Sequence, residues 1–132
     1  MSYSFVFALG VGLLISLYFI RIYLSRFKLI GESNPLQNNH QENNPNWQLY
    51  YFHNPHCGAC KNITPWIIEQ QKTHPNVISV DISKDSDTPS QFHIHATPTA
   101  VFVENNIVTD VQLGTSISQS MKEFLTLHGT TD

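Results

Sequence analysis

Phe52-His53-Asn54-Pro55-His56-Cys57-Gly58-Ala59-Cys60-Lys61 contains both cysteines of the 132-residue chain. The residues before it, Trp47-Gln48-Leu49-Tyr50-Tyr51-Phe52, are short and aromatic, the composition of a central strand. Those after it, Lys61 to Lys72, carry Ile63, Trp66, Ile67 and Ile68 close to helical spacing. Cys57 is therefore expected where a strand hands over to a helix N-terminus. Unpaired backbone N–H groups and the positive end of the helix dipole favour a thiolate there, which makes Cys57 a candidate nucleophile. A spacing of three stacks Cys60 beside it, so the two thiols can meet. Cys57 is expected to attack a substrate disulfide and form a mixed disulfide, which Cys60 then resolves. Run backwards, the same pair oxidises a dithiol, and the direction stays open.

Working outward, Pro65 lies inside the helical run and is expected to kink it. Pro75-Asn76 breaks the helix, and Val77-Ile78-Ser79-Val80-Asp81-Ile82 reads as a second strand. Ser83 to His93 is polar and predicts a loop with one short helix. Thr99-Ala100-Val101-Phe102-Val103, the Glu104-Asn105-Asn106 turn and Ile107-Val108-Thr109-Asp110-Val111 predict a β-hairpin. After Gly114, Ser116 or Ser118 is a candidate N-cap for an amphipathic helix carrying Ile117, Met121, Phe124 and Leu125. A helical crossover between the first two strands implies a right-handed parallel pair, and the hairpin adds two antiparallel strands. The expected fold class is α/β: a small four-stranded mixed sheet with helices on both faces.

Ahead of this domain, Tyr3 to Ile20 is almost wholly apolar and carries no charge before Arg21. At 1.5 Å per residue the run, continued to Leu24, is long enough to cross a hydrocarbon core of about 30 Å. A transmembrane anchor over 1–28 is expected in preference to a cleaved signal peptide or a buried core helix, since no basic residue precedes the run and no small-x-small site follows it. Arg21, Arg26 and Lys28 on its C-terminal flank place the following domain in the cytoplasm by the positive-inside bias, the alternative being the extracytoplasmic side. Residues 29–46, rich in Asn and Gln, read as a flexible tether, and 47–132 as the folded domain. A formal net charge of −3 with scattered lysines gives no nucleic-acid footprint.

On these residues the domain resembles the thioredoxin family over essentially all of 47–130. The matching features are the aromatic strand entering Cys57-Gly58-Ala59-Cys60-Lys61, Pro65 five residues after the second cysteine, Ala96-Thr97-Pro98-Thr99 before an apolar strand, and the closing helix with Lys122-Glu123-Phe124-Leu125. The resemblance implies a minimal thioredoxin-like fold, since the family's first strand and helix have no counterpart in the polar stretch before Trp47. It implies a disulfide oxidoreductase acting on protein thiols and disulfides, with a recycling partner and no cofactor beyond the Cys57–Cys60 pair. It also implies a cis Pro98, with Thr97, that holds a substrate strand. Two departures stand out: Tyr51 occupies the position of the family's buried acid, and His56, Gly58 and Ala59 replace the usual residues around and between the cysteines.

His56, if protonated, and Lys61 add positive potential beside Cys57; the plainer reading of both is solvent-exposed filler. A competing reading takes Cys57 and Cys60 with His53, His56, His93 or His95 as a zinc or copper site of a metal carrier. A third takes the chain as a tethered interaction module without catalysis, against which both cysteines argue. His40, His74 and His128 read as surface residues, and the sequon Asn62-Ile63-Thr64, inside a helix, as accidental.

Overall fold

A computed structural model describes residues 2–36 and 46–129. The elements are α1 (Ser2–Ser25), a 3-10 turn (Arg26–Lys28), β1 (Trp47–His53), α2 (Cys60–Thr73), β2 (Val77–Asp81), α3 (Asp87–Gln91), β3 (Thr99–Glu104), β4 (Ile107–Leu113) and α4 (Ile117–His128). The four strands form one sheet in the order β2-β1-β3-β4. β1 pairs parallel to β2 and antiparallel to β3, and β3 pairs antiparallel to β4. This is the mixed sheet expected from the chain order, with the crossover helix between its parallel strands. Asn105 and Asn106 both take positive φ in the hairpin turn, 50° and 65°, a region asparagine enters more readily than most residues.

Both sides of the sheet are covered, which explains why β1 is apolar at nearly every position and does not alternate. Leu49 and Tyr51 face α2 and α4 with Ile63, Ile67, Ile117 and Met121. Tyr50 and Phe52 face the other way, with Val80, Phe92, Val101 and Val108. Trp47 packs edge-on to Phe124 at 5.7 Å. The rings of His74 and His128 lie 6.3 and 6.1 Å from it, half-buried instead of standing on the surface as expected. His128 Nε2 donates to Glu104 Oε1 at 2.8 Å, tying the end of α4 to the hairpin. His40 lies outside the described residues.

The expected tether over 29–46 requires correction. Leu29 is 4% exposed and belongs to the core on the Tyr50 face. Gly31 N donates to Val108 O at 2.7 Å, Val108 N to Glu32 O at 2.9 Å and Asn34 N to Asn106 O at 2.8 Å, and Ser33 bridges Ile107. Asn34 is buried, with its amide shared between Gln48 Oε1 and the Tyr50 hydroxyl. Residues 29–36 thus cap the start of the free edge of β4, at Ile107 and Val108, satisfying backbone groups that a bare edge leaves to solvent. A polar composition concealed this because the docking uses main-chain bonds, one leucine and one asparagine. The rest of the tether, 37–45, lies outside the described residues. The folded unit accordingly begins at Leu29, not Trp47.

α1 is predominantly apolar, with Arg21 near its C-terminal end, and its span Ser2–Leu24 is long enough to cross a membrane, with a mean hydropathy of 2.2. None of that span is buried inside the protein.

Candidate active site

Asn54 shapes the turn that delivers the first cysteine. Its side-chain Oδ1 accepts from His56 N at 2.9 Å, and its carbonyl accepts from Cys57 N at 3.0 Å. This Asx turn follows directly on the last residue of β1. Sequence reading missed Asn54, although asparagine before proline at a strand end is itself a turn signal.

α2 begins at Cys60, with Ala59 at the N-cap and no side-chain cap. The helix therefore starts at the second cysteine, and Cys57 stands in the turn ahead of it. The expected effect on Cys57 survives in altered form, because Cys60 N–H, one of the first unpaired donors of α2, points at Cys57 Sγ at 3.2 Å. The two cysteines form a disulfide with their Cα atoms 5.3 Å apart. Cys57 is half-buried while Cys60 is 2% exposed. An incoming thiol or disulfide meets Cys57 first.

Gly58 is exposed, and a Cβ there would meet nothing within 4 Å. Ala59 is half-buried; His56 and Lys61 are exposed. Pro65 lies within α2 on its exposed side.

β1 ends and β3 begins at the same end of the sheet, where Phe52 is opposite Thr99. The cysteine turn and the Ala96–Pro98 loop therefore emerge side by side. The Thr97–Pro98 peptide bond is cis. Pro98 is buried and Thr97 half-buried; the loop is held by Thr99 Oγ1 donating to Ala96 O at 2.7 Å and Gly114 N donating to Pro98 O at 3.1 Å.

On β1, Tyr51 is fully buried and shares a hydrogen bond with Thr64 Oγ1 at 3.0 Å. Burial pushes its phenol above the usual 10.0, so Tyr51 stays protonated and neutral at physiological pH. Its ring stacks on His53 at 5.4 Å and 15°. Burial lowers His53 from its ordinary 6.5, with the Asp81 carboxylate opposing that shift. Among the described residues no three His, Cys, Asp or Glu side chains gather as a metal site. His53 is engaged by Tyr51 and its cross-strand neighbour Asp81, and the exposed His93 and His95 join no such group.

The family model for thioredoxin matches residues 35–126. Thioredoxin H4-2 of Oryza sativa subsp. japonica is 35% identical over 60 residues, which are 44% of this chain and 46% of the relative. Among solved structures, thioredoxin of Fasciola hepatica shares 25% identity with a TM-score of 0.53, covering 62% of this chain and 80% of that one. Thioredoxin O1 of Arabidopsis thaliana, in its oxidized state, shares 29% identity with a TM-score of 0.51, covering 62% and 77%. The chain belongs to the thioredoxin family. It spans about half the length of the first curated relatives it matches.

Proposed function

We propose that this chain is a membrane-anchored thiol-disulfide oxidoreductase that exchanges disulfides with protein substrates through Cys57 and Cys60. The observation that carries the reading is the asymmetry of the pair: Cys57 half-buried at the surface, Cys60 buried beneath it with its N–H directed at Cys57 Sγ. In the reductive direction the Cys57 thiolate attacks a substrate disulfide, forming a Cys57–substrate bond and releasing one substrate thiolate. The Cys60 thiolate then attacks Cys57 Sγ, re-forming the intramolecular disulfide and releasing the second thiolate. A recycling partner restores the dithiol. Thr97 and the cis Pro98, at the same end of the sheet, supply the shelf for the substrate strand.

The apolar helix α1 serves as the anchor, and Arg21, Arg26 and Lys28 favour a cytoplasmic domain. A reporter fused after Asp132 tests that orientation. For the chemistry, the full chain in detergent is given insulin and dithiothreitol. Reduction of insulin is expected from the wild type and is lost in Cys57→Ser; equal activity in that variant overturns the reading. Cys60→Ser is expected to accumulate a mixed disulfide on a non-reducing gel, and absence of an adduct overturns the assigned roles.

A further inference from the structure

The docked segment changes what the anchor does. A free tether over residues 29–46 would span roughly 23 Å on average and about 60 Å at full stretch, enough to search well away from the membrane. Leu29 and the bonds from Gly31 and Asn34 to the Val108–Asn106 edge remove that freedom. Only residues 25–28 separate Leu24, the last residue of the span, from Leu29. Four residues reach at most about 14 Å, and Arg26–Lys28 is coiled in a 3-10 turn, which rises only about 2 Å per residue. The polar stretch 37–45 follows the docked segment in the chain, so it cannot lengthen this connection.

The side of the domain that faces the helix is also set. Phe19, Tyr23 and Leu24 of α1 and Ile94, Ala96 and Leu113 of the domain line one apolar cavity of about 580 Å³. Ala96 belongs to the loop that leads into Pro98 and accepts the Thr99 hydroxyl. The loop that leads into Pro98 therefore lies on the side of the domain that faces α1.

We propose that the substrates are membrane proteins whose cysteines stand close to the bilayer surface, because the docked 29–36 segment holds the Cys57 site there. This rests on the exchange chemistry and the anchor proposed above. A domain of about 100 residues has a radius of gyration near 13 Å and a diameter of about 35 Å, which bounds the height at which Cys57 can meet a partner.

The test uses the full chain with Cys60→Ser in lipid vesicles. Each vesicle also carries a transmembrane peptide with one cysteine blocked as a thionitrobenzoate mixed disulfide, on a helical spacer placing it about 10 or about 60 Å above the bilayer. Attack by Cys57 forms a Cys57–peptide disulfide and releases the coloured thionitrobenzoate anion. The near probe is expected to react at least about tenfold faster than the far one, since a connection too short to span gives almost no effective concentration. Thirty Gly/Ser residues inserted between Lys28 and Leu29 are expected to bring the two rates within about twofold, whereas the same insert between Gln41 and Glu42 preserves the preference. Equal rates in the chain without an insert, or a preference unaffected by the Lys28–Leu29 insert, overturn the inference. Failure of the readings beneath it shows separately: no reaction with free thionitrobenzoate disulfide removes the exchange chemistry, and extraction of the chain from vesicles by alkaline carbonate removes the anchor.

Discussion

The Asn34 side-chain amide donates to the Tyr50 hydroxyl at 3.0 Å, and the same nitrogen donates to Gln48 Oε1. Asn34 Oδ1 meanwhile accepts from Leu36 N at 3.1 Å. One buried side chain thus fastens the 29–36 segment to the central strand β1. Asn34→Ala strands buried polar groups on β1, and about 2–3 kcal/mol of stability is expected to go with them. Urea unfolding of the full chain in detergent measures this; a loss under about 0.5 kcal/mol contradicts the role given to Asn34.

Tyr51 marks the sharpest departure from the family pattern. Its phenol is pushed up by burial and bonded to Thr64, so it cannot act as the base that a carboxylate provides there. Tyr51→Phe is expected to cost about 1 kcal/mol, lowering Tm by about 4–8 °C, while insulin reduction stays within about twofold. A loss of activity larger than this, at a temperature where the variant is folded, would assign the hydroxyl a chemical role.

His53 predicts a response to mild acid. Its folded-state pKa lies below the ordinary 6.5 because burial disfavours the imidazolium. The unfolded chain therefore binds the proton more readily. The stability contributed is complete above 6.5 and is lost as pH falls through 6.5 towards the lower folded value. Asp81 and Asp85 are held below their ordinary 3.8, chiefly by hydrogen bonds from Ser83 and Thr88, so their contribution persists until much lower pH. Unfolding curves between pH 7 and 5 are expected to show a decline that His53→Gln flattens.

Asn54→Ala removes the side-chain acceptor that holds His56 N. The turn carrying Cys57 loosens without disturbing β1, and slower attack with little change in Tm is expected, by about 2- to 10-fold for a loss near 1 kcal/mol in positioning. Stopped-flow reaction of Cys60→Ser with a thionitrobenzoate disulfide, with and without Asn54→Ala, gives that ratio.

Gly129 closes α4 against His74. A Cβ added there would lie 2.7 Å from His74 Nε2 and 2.7 Å from Leu125 O, a backbone atom that cannot swing aside. Gly129→Ala is expected to cost about 1–3 kcal/mol by overpacking, and thermal melting checks it.

Most of the fold was legible because its two central strands, β1 and β3, are buried on both faces and read as nearly unbroken apolar runs. Ile63, Ile67, Met121 and Phe124 likewise betray their helices by spacing. Ser116 illustrates the limit: it occupies the predicted N-cap position of α4, yet its side chain makes no capping bond. The start of α2 shifted from Cys57 to Cys60 because Asn54 builds a turn first. Residues 29–36 escaped altogether, since an edge segment docked through main-chain bonds leaves almost no periodic signal. Tyr51 and Thr64 are 13 residues apart, and only the packing of α2 on β1 brings them together.

β1 has a further consequence in the cell. Trp47 through Phe52 is buried along its whole length, carries no charge and is rich in β-forming aromatics. Such a hexapeptide is a ready template for cross-β stacking once it leaves the sheet. Its protection is its place between β2 and β3, together with the Asn54-Pro55 break just beyond its end. Substitutions that loosen the domain, Asn34→Ala and Gly129→Ala among them, should therefore reveal themselves first as insoluble or degraded protein, before any change in the turnover of surviving molecules.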